Sequence, residues 1–319
     1  MRSLAILVLG LVLAVPAGAQ SQAYPDKPIR LVVPFPAGSG TDIIGRLIAQ
    51  QMTADFGQPV IVDNRPGAST IVGTDIVAKS APDGYTMVMA SNNHAMNPSL
   101  FAGKLPFDAI KDFAAVGEVA ILPFILVVNP QLPANDLKEL LSLAKKGGLT
   151  YASTGNGTPP HVAGEMLKRA AKVDITHIPY KGSAAAVQDV VSGQVSMMFV
   201  NVPSGLSLVK AGKLRALAIG SSKRIAALPD LPTVAELGYP GFDVSLWMGL
   251  LMPVNTPADV IEKMNKELAR TLADPATRQK IEEQGAEPAY STAAEFSKFI
   301  ALETKRFGDL VSDVGLKVD

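Results

Sequence analysis

The chain twice places glycines and hydroxyl-bearing residues where an apolar strand would hand over to a helix, a residue set that suits an anion. The first cluster, Phe35-Pro36-Ala37-Gly38-Ser39-Gly40-Thr41-Asp42, follows the apolar run 29–33 and leads into Ile43, Ile44, Leu47, Ile48 and Met52 at helical spacing. The second, Ser153-Thr154-Gly155-Asn156-Gly157-Thr158-Pro159-Pro160-His161, follows the run 149–152 and leads into Val162, Met166, Leu167 and Ala170. Each loop would aim unpaired backbone N–H groups and the positive end of a helix dipole at whatever sits above it. Gly38, Gly40, Gly155 and Gly157 let a ligand approach the backbone closely, and the hydroxyls of Ser39, Thr41 and Thr158 can donate to a carboxylate. Two such loops in one chain imply a ligand held between two domains.

Covalent chemistry is poorly supported by the same residues. A nucleophile elbow, G-x-S-x-G around Ser39, would need glycine where the chain has Ala37, and no spacing obliges His161 and Asp42 to join Ser39 in a triad. A dinucleotide fingerprint fails at its third glycine in both loops, where Ile43 and Pro160 stand. His94, His161 and His177 are the only histidines and there is no cysteine, so neither a thiolate site nor an H-E-x-x-H zinc motif is present. The expectation is recognition without catalysis, cofactor or metal. Asp42 has two readings, as a favourable charge in the first turn of its own helix or as an acceptor for waters and ligand donors. His161 is either a satisfied first-turn histidine or a ligand contact, and Lys181 is the nearest plausible cation to either loop.

The elements that must position these residues read as βαβ units, with Val- and Ile-rich runs alternating with helical patterns. Strands are expected at 59–63, 85–90, 174–178, 195–200 and 214–219, with helices at 69–79, 136–145 and 183–191. Thr256 reads as an N-cap before Pro257, opening a helix with Val260, Ile261, Met264, Leu268 and Leu272 on one face; a last helix covers 292–311. Ligands of parallel α/β sheets sit at the carboxyl ends of strands. That rule adds Ser91, Asn92 and His94, then Tyr180, Lys181, Gly182 and Ser183, and finally Asn201 to the candidate contacts, with Phe35 lying inside the first loop.

Residues 1–19 have a charged start, an apolar run too short for a comfortable membrane span, and Ala17-Gly18-Ala19 as a small-x-small cleavage site. They read as a secretory signal peptide cut before Gln20, which makes the mature chain periplasmic with no stable membrane insertion. About 300 residues remain, enough for two domains without disulfide support. The apolar stretch 113–128, interrupted by Pro123, and the apolar run 242–252, which carries Trp247, read as two crossings between them. Domain 1 is then 20–122 plus 248–319 and domain 2 is 123–247, a two-domain periplasmic binding protein of Venus-flytrap type, each domain a mainly parallel sheet flanked by helices. Charge is balanced, with 29 Lys+Arg against 29 Asp+Glu, so nucleic acid is not an expected partner. A monomer is expected.

Five segments resemble the Bug-type substrate-binding proteins of tripartite tricarboxylate transporters: Tyr24-Pro25-Asp26-Lys27-Pro28-Ile29, the run Pro34 to Asp42, Val62-Asp63-Asn64-Arg65-Pro66-Gly67-Ala68, Pro82-Asp83-Gly84-Tyr85-Thr86, and His177-Ile178-Pro179-Tyr180-Lys181-Gly182. The resemblance covers the whole mature chain. It implies a clamshell that binds carboxylated solutes, the loops 35–42 and 153–161 gripping a carboxylate directly and through ordered water, and a membrane permease as partner. Ser39 departs from the second glycine of many relatives and adds a hydroxyl to the pocket. A carboxylate sensor that presents its liganded form to a two-component system is the alternative role, and a hydrolase comes third. The leader reading predicts that exported protein begins at Gln20, and an intact mass retaining residues 1–19 in periplasmic material would refute it.

Overall fold

The computed structural model describes residues 24–314, so the leader expected at 1–19 lies outside the described residues. The order is β1 (Ile29–Val33), α1 (Gly40–Phe56), β2 (Val60–Asn64), a 3-10 turn (Ala68–Thr70), α2 (Ile71–Ala78), β3 (Thr86–Ser91), α3 (Asn92–Leu100) and β4 (Phe113–Val128). It continues with α4 (Leu137–Ala144), β5 (Thr150–Ser153), α5 (Pro159–Ala171), β6 (Thr176–Pro179), α6 (Ser183–Ser192), β7 (Met197–Asn201), α7 (Val202–Lys210) and β8 (Arg215–Ile219). The chain closes with β9 (Ser245–Pro253), α8 (Ala258–Ala273), α9 (Pro275–Glu283), β10 (Glu287–Pro288) and α10 (Ala293–Val314).

The strands fall into two sets joined by β4. In one, β1 lies between β2 and β3 in parallel, and β9 runs antiparallel between β3 and the first part of β4. In the other, the last part of β4 runs antiparallel to β7 and β8, while β5 lies parallel between β7 and β6. Pro123 is the last residue of β4 paired with β9, opposite Ser245, and Phe124 is the first paired with β7, opposite Asn201. The strand thus changes partners at a residue with no N–H to contribute to a ladder, which is why a proline is tolerated inside a buried strand.

The returning chain re-enters the first set at Ser245, and the side chain of Asn92 clamps it there: Nδ2 donates to the Ser245 carbonyl at 2.9 Å and Oδ1 accepts from the Trp247 N–H at 2.9 Å. Trp247 lies two residues inside the strand, 3% exposed, edge-on to Phe296 and Phe299, with its indole N–H donating to Glu303 Oε2 at 3.1 Å. Phe296, Ile300, Phe307 and Val311 form the apolar stripe that seals α10 over Trp247, Leu251 and Met96. A capping box starts that helix, with Thr292 Oγ1 accepting from Glu295 N–H and Glu295 Oε2 accepting from Thr292 N–H.

Two local expectations differ from the structure. Thr256 does not cap α8; its hydroxyl donates to the Pro253 carbonyl at 2.7 Å and Pro257 occupies the cap position with no side-chain bond. Ser91 to His94 is not a loop, because α3 starts at Asn92 directly from the end of β3, and its first turn is fully buried. Gly249 of β9 has no room for a side chain, since a Cβ there would lie 2.1 Å from the Phe296 ring and 2.8 Å from the Gly117 carbonyl. Gly249→Ala is therefore expected to cost about 1–3 kcal/mol by forcing α10 off the sheet, read as a lower urea midpoint.

Candidate ligand-binding site

Helices α1, α2 and α3 start at the carboxyl ends of the parallel strands β1, β2 and β3, and α5 and α6 start at those of β5 and β6, with α7 after β7. The two groups face each other across the join. A Cβ on Gly40 would lie 2.7 Å from Asn201 Oδ1 and 3.0 Å from Leu122, and a Cβ on Gly182 would lie 3.3 Å from the Pro36 ring. The structure thereby brings the loop 35–42 against the starts of α6 and α7. Gly40 serves this approach of one helix end to another, whereas Gly38, at φ +78° with open space around its Cα, is the glycine that leaves room for a ligand.

Asp42 organises the first loop. Its Oδ2 accepts from the Gly38 N–H at 2.8 Å and from Arg46 Nε at 3.1 Å, while Oδ1 accepts from Asn64 Nδ2 at 2.9 Å and pairs with Arg46 at 3.0 Å. Asn64 also donates to the Phe35 carbonyl at 3.1 Å, and Ser39 Oγ caps α1 by accepting from the Asp42 N–H. Burial pushes the Asp42 carboxyl up, but the bonds from Arg46, Gly38 and Asn64 outweigh it and hold it below its ordinary value. Of the two readings of Asp42, the geometry is that of a brace. Thr41 is buried beside it. Asn64 was passed over as a site residue, although the strand-end rule that selected Asn201 applies equally to the last residue of β2. Phe35 packs its ring against the main core.

The second loop is held by imidazoles. His161 Nδ1 accepts from the Gly157 N–H at 3.0 Å, and its ring stacks on His177 with centroids 3.9 Å apart; the Tyr151 ring lies 4.8 Å from His177 and 6.4 Å from His161. His177 Nε2 lies 2.6 Å from Ser153 Oγ, which also accepts from the Gly155 N–H and sits 3.0 Å from the Gly155 carbonyl. Thr158 Oγ1 donates to that carbonyl at 2.7 Å. Tyr151 donates to Glu165, which is paired with Lys168 at 2.9 Å. Burial lowers the pKa of both histidines, that of His177 to about 4, so both rings are neutral and His161 can act as an acceptor. His177 was not among the expected site residues. Gly157 has φ +69° and Gly155 φ +128°, so both glycines are required by the turn itself, and a branched residue at 157 would strain the loop whatever lies above it.

The remaining candidates divide. Asn201 caps α7 through Ser204 N–H, and Ser183 opens α6 behind Gly182, which faces Pro36. Thr154 is half-buried within the second loop, and Lys181 is exposed beside the cleft. Tyr180 turns its hydroxyl away to Asp189. Ser91 lies 3.5 Å from Asn93 Oδ1, and Asn92 is occupied by the chain crossing. His94 belongs to the core of the first strand set, its Nε2 against the Ala109 carbonyl at 2.7 Å and its ring against Phe107 and Phe113. Ser39, Asp42 and His161 do not form a triad: Ser39 Oγ accepts from the Asp42 backbone N–H, the Asp42 carboxylate holds Gly38, Arg46 and Asn64, and His161 Nδ1 accepts from Gly157.

The helix ends around the cleft differ in capping. Side chains cap α1 and α7, while α2, α3, α5 and α6 have no side-chain cap and α5 opens with Pro159 and Pro160, which carry no N–H; of the helices that start elsewhere, α4, α9 and α10 are capped by Asp136, Asp274 and Thr292 and α8 is not. Uncapped first-turn N–H groups gathered on one side of a molecule form an anion-attracting surface.

The family model described as the tripartite tricarboxylate transporter family receptor matches residues 44–316. The chain belongs to that family. It is similar to Protein BugT of Bordetella pertussis, 35% identical over 98% of each chain. Among solved structures, one described as a periplasmic transporter is 41% identical, with a TM-score of 0.89 over 93% of this chain and 100% of that one. An R. palustris protein with adipate is 32% identical at a TM-score of 0.89, covering 92% and 99%; MatC of Rhodopseudomonas palustris with bound malate is 32% identical at 0.84, covering 90% and 100%. The two-domain periplasmic binding protein architecture is thus shared with relatives above 30% identity.

His94, buried and held neutral with its pKa lowered to about 4 by desolvation, gives a pH signature. Its folded-state pKa lies below the unfolded value of about 6.5, so the unfolded chain takes up the proton first and stability falls as pH drops from about 6.5 toward 4. His94→Gln, which keeps a donor for Ala109, should flatten that slope by up to about 1.4 kcal/mol per pH unit, measured by urea unfolding at pH 7, 6 and 5.

Proposed function

We propose that this family member is a periplasmic receptor that captures a small carboxylate in the cleft between the two loops and delivers it to a tripartite tricarboxylate-type permease. The observation that supports the reading is that helices α1, α2, α5, α6 and α7 start at strand ends around the cleft, and that its two glycine loops, 35–42 and 153–161, contain neither Arg nor Lys. Arg46 is engaged by Asp42 and Asn64, and Lys181 stands exposed at the rim. Magnitudes permit such a grip: the ends of α1 and α5 at roughly 1 kcal/mol each, with two hydroxyl bonds to a charged acceptor at about 1.5–3 kcal/mol each, give about 5–8 kcal/mol against the roughly 8 kcal/mol of micromolar binding.

Adipate and malate on relatives of the same family support a carboxylate as the ligand. The leader-like residues 1–19 support export, and among the described residues no helix is long and apolar enough to cross a membrane. Binding proceeds without bond making, the protein contributing oriented N–H groups, the hydroxyls of Thr41 and Ser39, and exclusion of water on closure about Pro123 and Ser245. Calorimetric titration with adipate and malate tests this. Lys181→Ala should bind within about threefold of the parent, whereas Thr41→Val, which removes only a hydroxyl, should weaken binding about tenfold. Collapse of binding in Lys181→Ala with normal affinity in Thr41→Val would show that an ion pair holds the anion instead.

A further inference from the structure

The second loop depends on one hydrogen bond that a single proton can abolish. Gly157, buried and at φ +69°, points its N–H at His161 Nδ1 at 3.0 Å. An imidazole nitrogen accepts only while it carries no proton, and the protonated ring is a donor at both nitrogens. Protonation of Nδ1 would therefore set two donors against each other at a residue only 7% exposed, where little water can come between them.

The neighbouring ring makes the pair a poor host for charge. The planes of His161 and His177 lie 8° apart with centroids at 3.9 Å, so a cation on one ring faces the other directly and disfavours a second proton there. The two rings answer a proton differently. His177 Nε2 meets Ser153 Oγ, which can accept as well as donate, so that contact survives in either protonation state. The Gly157 N–H can only donate, so its contact with His161 does not.

Charged and titratable groups reach the pair from the elements packed around α5. β5 brings Tyr151, whose hydroxyl donates to Glu165 at 2.6 Å, and β6 brings His177. α5 itself brings Glu165 and Lys168, 2.9 Å apart, with Asp174 4.0 Å from the same ammonium. β7 carries no titratable side chain, and α10 meets α5 through Val162 and Met166 in an apolar cluster, its Glu303 being held by Arg306 and Trp247. Burial is the largest influence on His161 and lowers its pKa; Glu165 acts against it and Lys168 with it.

We propose that His161 is a positioning residue that holds the second loop in its binding shape only while its ring is neutral, so that carboxylate capture is gated by pH and weakens on acidification. The proposal rests on the carboxylate reading above and deepens it with a condition for release. Loss of the acceptor frees the turn 155–158, and the grip of that turn on the anion goes with it.

Titration calorimetry with adipate and malate at pH 7.5, 6 and 5, on the parent and on His161→Asn, tests it. Asparagine offers Oδ1 as an acceptor for the Gly157 N–H and takes up no proton. Whatever its affinity at pH 7.5, the variant should lose at least about threefold less than the parent by pH 5. The ligand's own protonation is common to both proteins and cancels in that comparison. By linkage a bound ligand must also depress the pKa of His161, followed in the parent alone by ring nitrogen NMR shifts with and without ligand. Should His161→Asn fail to bind, those shifts decide by themselves. Parallel pH profiles, or a ring pKa that ligand leaves unchanged or raises, would overturn the proposal and leave the carboxylate reading intact. Failure of the parent to bind either acid at pH 7.5 would overturn both.

Discussion

Everything in this molecule is arranged around one strand that serves two sheets. β4 pairs with β9 up to Pro123 and with β7 and β8 from Phe124 onward, and the return crossing at Ser245 lies directly opposite Pro123. Both links between the strand sets are therefore neighbours in one ladder, pinned by Asn92. A pair of adjacent links lets two bodies rotate about a common line and resists sliding, because sliding would break ladder bonds on both sides at once. The glycine loops stand at strand ends beside that line, where Gly40 faces Asn201 and Pro36 faces Gly182.

The second ordering principle is electrostatic thrift. The charged groups near the cleft are used to build loops: Asp42, Arg46 and Asn64 hold the first, and Glu165 with Lys168 and Tyr151 supports the imidazole stack behind the second. Lys181 at the rim apart, what the two glycine loops present is neutral, composed of backbone N–H groups and hydroxyls. The neutral histidines extend this logic, since His161 accepts a bond from the Gly157 N–H only while Nδ1 is unprotonated. Fixing the loop with an acceptor ring keeps cations out of the second loop.

Much of this was legible in the residues. The strand, glycine loop and helix pattern at 29–52 and 149–170 appears as β1–α1 and β5–α5, and the apolar stretch 113–128 is the single strand β4 with Pro123 at its change of partners. Helix starts were less legible where tertiary contacts override local chemistry, as at Thr256, whose hydroxyl closes a turn onto Pro253, and at Asn92, where buried polar partners draw a helix out of an expected loop. Pattern reading treats a strand-end polar residue as a ligand contact and has no means of seeing that Asn92 is consumed by the backbone of a strand 153 residues later. The same blindness hid Asn64, Arg46 and His177, whose roles exist only through partners distant in sequence. Trp247 lies in the run read as the return crossing, and two residues inside β9 its ring packs against Phe296 and Phe299.

A cleft that binds as proposed, through helix ends and hydroxyls rather than side-chain cations, would have a consequence for kinetics in saline surroundings. Attraction between a free side-chain cation and an anion reaches several ångströms into solvent and fades once ionic strength shortens the screening distance to about 8 Å. Contacts from first-turn N–H groups act only within the first turn of each helix, and a chain with balanced charge of 29 against 29 offers little long-range steering. Encounter then proceeds at the rate of unsteered diffusion, largely indifferent to salt. On that proposal, discrimination among solutes would be written into residence time, that is, into how long the cleft retains each anion.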